Sequence, residues 1–223
     1  MASGASSYAY NSIFLSLYDY YVLGLTNTAF WRCPTDSVLL PLFQANAGPR
    51  HMDVGVGSGY FPAIMNQREG HLGWPKKLVL VDLNPTCLER ASSRIGLPER
   101  TLCLKNDALQ PLPDAGPFDS ISIMFLLHCL PGPPEHKAQI FANLKPHLTD
   151  NGTLFGATVL GQGVQHNLVG QVLMAAYNWF GIFGNSGDGK EPFIEALEEE
   201  YEEVETAVIG CVLIFKAQKP RRA

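Results

Sequence analysis

The spacing of apolar residues along the chain changes several times, and each change marks an element. From Tyr10 the period is helical: Ile13, Phe14, Leu17, Tyr18 and Tyr21 form a stripe that Gly24 ends. "FWRCPT" follows, and Pro34 sets up a second short helix through Leu39. The rhythm then becomes that of alternating strands and helices. "HMDVG" is a short apolar run closing on glycines, with a helix over 61–68 that carries Pro62 in its first turn. "KLVLVD" is a β-rich run ending in an acid. "NPTCLERASSRIG" places Asn84 as cap, Pro85 in the first turn and Gly96 as stop, with Cys87, Leu88, Ala91 and Ile95 on the inner face. "TLCLKND" and "FDSISIMFLLHCL" are further strands, the second running into the turn "PGPP". The stretch 135–148 is amphipathic through Ile140, Phe141, Leu144 and Leu148. "NGTLFGATVLG" reads as a turn and then a strand.

This alternation predicts βαβ units and a parallel, doubly wound sheet. Residues 161–190 break it. They are rich in Gly and Asn, carry Met174, Tyr177, Trp179, Phe180 and Phe183, and follow a strand's C-terminal end, where such sheets keep their ligands. "FIEALEEEY" is a short helix with Phe193, Ile194, Leu197 and Tyr201 inward. "VETAVIGCVLIFKAQ" is a hairpin turning at Gly210 and closing the sheet edge. No repeat and no interdomain linker is visible, so 1–223 is read as one domain, with a helical cap over 1–45 and a lid over 161–190.

Composition narrows the picture modestly. The chain is 46% hydrophobic and 17% charged, as a globular protein is, and its formal net charge is −5. Eight glutamates fall between Glu191 and Glu205, most simply as a solvated face. No basic cluster offers itself to nucleic acid. No run is long enough to span a membrane, and the N-terminus lacks the pattern of a secretory signal, so a cytoplasmic protein is expected. The cysteines, at 33, 87, 103, 129 and 211, have neither zinc nor disulfide-framework spacing; reduced, mostly packed thiols and no metal site are expected.

The chemistry concentrates in "DVGVGSGY". A glycine loop between strand and helix offers a ligand backbone N–H groups and the helix dipole. Dinucleotide loops space their glycines as G-x-G-x-x-G. Here they stand at Gly55, Gly57 and Gly59, with Tyr60 next, and no G-x-x-x-x-G-K-[ST] is present. Asp82 ends the second strand, 23 residues after Gly59, where a carboxylate accepts hydrogen bonds from a ribose diol. Asp107, followed by Ala108, ends the third and could meet an adenine. Asp53 lies under the loop and could hold an ammonium group, directly or through water. A ribose, an adenine and an amino group without a pyrophosphate describe S-adenosylmethionine (SAM).

With these motifs in order, the chain resembles the class I, Rossmann-like SAM-dependent methyltransferases over about 51–160. "LVLVDLNP" matches their acid-ended second strand, "NDALQPLP" their adenine-binding strand end, "PFDSISIMFLLHCLPG" their fourth strand, and "LKPHLTDNGTLFGATVLG" their helix-turn-strand five. The resemblance implies a seven-stranded sheet with a C-terminal antiparallel hairpin. It also implies Leu83, Asn84 and Met124 as cofactor neighbours. "SLYDYYVLGLTNTAFWRCP" is similar to the cap of small-molecule members, which implies Tyr18 and Arg32 at the carboxylate end of SAM. The alternative for these two is an ordinary cap helix with Tyr18 packed and Arg32 on the surface.

Methyl transfer from a sulfonium is an in-line displacement that needs alignment and exclusion of water, with a base only when the nucleophile is protonated. His128, at the pocket edge, and His166, in the lid, are candidate bases with pKa values near neutrality. Tyr177 and Asn178 are candidates to orient a substrate oxygen. The simpler alternative is that His128 is a turn histidine, and that Tyr177, Trp179 and Phe180 close the core. There is no [DNS]-P-P-[YFW] after the fourth strand and no Asp/Asp/Asn set at the strand ends for a magnesium-bound catechol. The whole resembles tailoring methyltransferases of secondary metabolism. The implied substrate is a small, partly apolar, polyketide-type metabolite, methylated at oxygen by a monomer or homodimer, with methylation of a similar substrate at carbon or nitrogen left open. The competing readings are a SAM-binding protein of this fold that transfers no methyl group and, less favoured by the loop spacing, an NAD-dependent oxidoreductase.

Overall fold

The computed structural model describes residues 26–222. Tyr18 and the helix expected over 10–24 lie outside the described residues. Five strands run parallel: β1 (Arg50–Val54), β2 (Lys77–Asp82), β3 (Thr101–Lys105), β4 (Phe118–Met124) and β5 (Leu148–Val159). A hairpin follows, β6 (Tyr201–Ile209) and β7 (Val212–Pro220), whose second strand pairs antiparallel with β5. The order is β3-β2-β1-β4-β5-β7-β6, the doubly wound, mostly parallel sheet expected from the alternation. The order reverses between β1 and β4, and the crevice beyond their C-terminal ends is where such a sheet takes its ligands.

The helices are α1 (Leu40–Asn46), α2 (Tyr60–Glu69), α3 (Pro85–Ile95), α4 (Pro134–Leu144), α5 (Leu168–Trp179) and α6 (Glu191–Glu200). On one face of the sheet Phe141, Leu144 and Phe193, from α4 and α6, pack with Ile121, Ile123 and Phe215. On the other face α1 and α2 supply Phe43 and Phe61 against Phe155 and Val159, and α3 lays Leu88 and Ile95 on Leu78 and Leu80. Each such side chain removed from water contributes roughly 1.5–3 kcal/mol. Helix α3 shows how local chemistry sets these elements. The Asn84 side chain accepts from Thr86 N–H at 3.0 Å, Pro85 fits a position with no N–H to satisfy, and Gly96 takes a left-handed C-cap. All four residues expected on its inner face are buried.

Three elements differ from their expected form. The second helix does not stop at Leu39: a π-helical turn at Thr35–Leu39 leads directly into α1, because Leu39, Leu40 and Phe43 continue one buried stripe. The turn expected at Asn151–Gly152 is absorbed as an irregularity within β5. While β4 advances from Phe118 to Ser120, β5 advances from Leu148 to Thr153. The 161–190 segment holds the twelve-residue helix α5, hidden in the sequence by its glycine-rich flanks and started by Asn167, whose side chain accepts from Gly170 N–H at 2.8 Å.

That segment is pinned to the sheet by a buried ion pair. Lys137 Nζ of α4 lies 2.7 Å from Asp188 and donates to the Gly184 carbonyl at 2.8 Å, while the Asp188 carbonyl accepts from Gly161 and Gln162 N–H. Removing one partner leaves the other charge buried and uncompensated. Asp188→Ala should therefore cost about 3–5 kcal/mol in urea unfolding, and Lys137→Met with Asp188→Leu together should recover much of it.

Candidate cofactor and substrate site

Strand β1 delivers the glycine loop to the crevice, and all three glycines have positive φ there. Their roles differ. A Cβ on Gly55 would meet the Leu126 side chain at 2.8 Å, and one on Gly59 would meet the Ala91 backbone of α3 at 2.8 Å. Both are glycine because the chain packs on itself. Among the described residues a Cβ on Gly57 would meet only the Gly55 carbonyl oxygen, at 4.0 Å, and would otherwise project into open space. Gly57 is thus the position where the loop leaves room for something outside the chain.

Two carboxylates flank this cradle. Asp82, at the end of β2, accepts from Gly57 N–H at 3.1 Å and from Asn84 N–H at 2.9 Å, and burial raises its pKa. A carboxylate has about four acceptor sites, so capacity for a diol remains. Beside it Leu83 is 61% exposed, an apolar surface at the crevice mouth. Asp53, on β1, is buried, accepts from Ser122 Oγ–H at 2.6 Å, and has its pKa pushed up to about 7 by burial, with the neighbouring Asp82 adding to the effect. Among the described residues neither carboxylate has a lysine or arginine in ion-pair contact. Two adjacent, partly desolvated acids without a cation make a site of negative potential, suited to a ligand that brings positive charge. Asp107 follows β3 and accepts from Leu109 N–H at 3.0 Å; Ala108 and Met124 are buried beside the strand ends.

The other expected residues lie elsewhere along the crevice. Arg32 donates to the Gln165 carbonyl and sits 3.9 Å from Cys211 Sγ, at the start of the lid and the tip of the hairpin. The hairpin strand β7 is three strand spacings from β1, about 14 Å. The structure therefore puts Arg32 on the lid side rather than at the glycine loop.

His128 is buried. Val159 N–H donates to its Nδ1 at 3.2 Å, Thr158 Oγ1 lies equally close, and the Phe183 ring is 4.3 Å away. Burial lowers its pKa to about 3, so the near-neutral value expected from sequence does not hold. His166 packs edge-on against Trp31, and its Nε2 lies 2.9 Å from the Leu160 carbonyl. That contact makes Nε2 the protonated nitrogen and leaves Nδ1, buried and without a hydrogen-bond partner among the described residues, as an acceptor. Its pKa is also lowered, by burial and then by Arg32, against the effect of the Leu160 contact.

Tyr177 meets Phe183 edge-on at 5.0 Å, but both amide atoms of Asn178 are taken: Nδ2 by Met174 and Asn185, Oδ1 by Ser186 N–H. Asn178 holds the lid together. Trp179 and Phe180 are 85% and 69% exposed, so they do not close the core.

Sequence reasoning missed two features. Phe125, just after β4, has φ +61, a left-handed backbone uncommon for a bulky residue, and no local pattern announces it. His51, Ser120 and Ser122 form a buried polar line with Asp53, described below. Its signal was present: polar residues at every second position of β1 and β4, His51 and Asp53 on one and Ser120 and Ser122 on the other.

Among the described residues no group of His, Cys, Asp and Glu is placed to hold a metal ion, and no helix is long and apolar enough to cross a membrane. The methyltransferase-domain family model matches residues 30–182. The methyltransferase verB of Penicillium polonicum is 49% identical over 224 residues, covering 96% of this chain and 98% of its own. The physcion biosynthesis cluster O-methyltransferase of Aspergillus chevalieri is 46% identical, covering 95% and 94%. The crystal structure of the N-methyltransferase NodS of Bradyrhizobium japonicum with S-adenosylhomocysteine (SAH) superposes with a TM-score of 0.58 at 18% identity, covering 82% of this chain and 85% of that one. With its strand order, its open glycine loop and these relatives, the chain belongs to the class I, Rossmann-like SAM-dependent methyltransferases.

Proposed function

We propose that the protein transfers a methyl group from SAM to a hydroxyl of a small, partly apolar secondary metabolite. The observation that carries the cofactor half is the cradle itself: open space at Gly57 beside the buried Asp53 and the part-buried Asp82, neither of which has a lysine or arginine in ion-pair contact among the described residues. SAM brings two positive charges and a ribose to such a site. When bound, SAM supplies the electrophilic methyl group. The residues that would hold it are Asp82 for the sugar hydroxyls, Asp53 for the amino group, Gly57 for close approach of the arm, and Leu83, Asp107, Ala108 and Met124 around the base.

The substrate half rests on the relatives, one of which is named as an O-methyltransferase of a biosynthesis cluster, and on the lid. From 151 to 187 the chain has no Asp, Glu, Lys or Arg, so the roof of the crevice favours an uncharged, apolar molecule. His166 is the base in this reading, because its buried Nδ1 has no hydrogen-bond partner among the described residues and keeps a lone pair for the hydroxyl proton. His128, already accepting from a backbone N–H, packs the pocket wall beside Phe183.

SAM carrying a labelled methyl group, incubated with hydroxylated aromatic and pyrone polyketides, should yield SAH and a labelled methyl ether. SAH binding without transfer across the panel would favour the alternative, a protein that binds the nucleoside and does not methylate. His166→Gln should lower kcat by about 10²–10⁴ and leave SAH affinity unchanged; an unaltered kcat would remove His166 from the mechanism.

A further inference from the structure

A line of buried hydrogen bonds runs from the start of β1 to the carboxylate under the glycine loop. Gly48 N–H donates to Ser120 Oγ at 2.7 Å. Ser120 Oγ lies 2.7 Å from His51 Nδ1, His51 Nε2 lies 3.0 Å from Ser122 Oγ, and Ser122 Oγ–H donates to Asp53 Oδ1 at 2.6 Å. His51, Ser120 and Ser122 are fully buried. Each hydroxyl has one proton, which fixes the direction of the line. Ser122 gives its proton to Asp53, so it must accept from His51 Nε2–H. His51 Nδ1 is then an acceptor, and Ser120 gives its proton there while accepting from Gly48.

The ring is also clamped sterically. Phe155 of β5 stacks at 5.9 Å, Phe43 of α1 meets it edge-on at 5.2 Å, and Trp74 lies at 6.2 Å. Burial holds His51 neutral, with a pKa of about 3. Among the described residues the charged group that faces Asp53 from the packed strands is Asp82 of β2; β4 presents Ser122, and its own strand presents His51.

We propose that His51 and Ser122 are positioning residues for the cofactor. The His51–Ser122 pair aims Asp53 at the amino group of the ligand's amino-acid arm and keeps the carboxylate charged to receive it, which makes cofactor uptake proton-linked. The inference rests on the SAM reading above. The Ser122 hydrogen bond lowers the pKa of Asp53 against the pull of burial. Without it the carboxylate holds its proton to higher pH, and a protonated carboxyl gives a cationic ligand nothing to pair with. The nucleoside end, at Asp82, is untouched by this line.

Calorimetric titration of SAH and of 5′-methylthioadenosine, between pH 6 and 8.5, separates these contributions. The second ligand has the same nucleoside and no amino-acid arm. In the unsubstituted protein SAH affinity should fall as pH drops below about 7 while that of methylthioadenosine stays flat. Ser122→Ala should weaken SAH about tenfold near neutral pH and move its acid fall-off to higher pH, with methylthioadenosine unchanged. His51→Phe, a ring that suits the same aromatic clamp, should act in the same direction. Equal losses for the two ligands, or an unchanged SAH profile in these variants, would overturn the assignment. Failure of the unsubstituted protein to bind either ligand would instead sink the SAM reading itself.

Discussion

Gly57→Val should abolish SAH binding, by at least about a hundredfold in Kd, in a protein that still unfolds cooperatively close to the unsubstituted midpoint. Gly57 has φ +54, so a side chain there costs about 1–2 kcal/mol of backbone strain. That is a fraction of a domain's stability. Among the described residues, its chain neighbours aside, no atom lies closer to the new Cβ than the Gly55 carbonyl at 4.0 Å, so the branched side chain should fill ligand space without displacing the fold. Gly59→Val is the control. Its Cβ falls 2.8 Å from the Ala91 Cα, so α3 must shift, and the loss should appear first as a lowered unfolding midpoint. SAH titration and urea melts on both variants check the contrast. Normal binding by Gly57→Val would place the ligand elsewhere.

Asp82→Ala should weaken SAH and 5′-methylthioadenosine together, by about 2 kcal/mol or roughly thirtyfold, because it removes charged hydrogen bonds to the nucleoside that both ligands share. The effect has a second source in the free protein. Asp82 also holds Gly57 N–H and Asn84 N–H, so its loss relaxes the loop and the start of α3. Competition binding with both nucleosides is the measurement, and unchanged affinity would show that the ribose lies away from β2. The pattern is opposite to that expected of Ser122→Ala, which spares the nucleoside lacking the arm. Such a contrast would divide the ligand between the two carboxylates, Asp82 taking the sugar and Asp53 the amino acid.

Reading the local sequence was reliable where local physics decides. The inner face of α3, its cap and its stop are set by a 3.6-residue period and by side chains that bond their own backbone, and all were legible. The hairpin at Gly210 was legible for the same reason. The lid was legible as an interruption but not as a helix, because its stability comes from the sheet through Lys137, fifty-one residues from Asp188. The exposure of Trp179 and Phe180 was misjudged by the simpler alternative, since hydrophobicity alone does not say which way a helix faces.

The sequence by itself determined the alternation of strands and helices outside the lid, the glycine spacing that argues against a pyrophosphate, and the carboxylates at the strand ends. Each of these is written within a few consecutive residues, where backbone geometry and turn chemistry act. Only the tertiary structure decided which loop glycine has open space beside it, that Arg32 bonds the lid, that His128 is buried against Val159 N–H, and that His51 and Ser122 stand behind Asp53. Those outcomes depend on burial and on partners brought from distant strands. A pKa or a proton's direction is set by what surrounds a group in space, and that is fixed when β4 is laid beside β1 and the crevice closes over both.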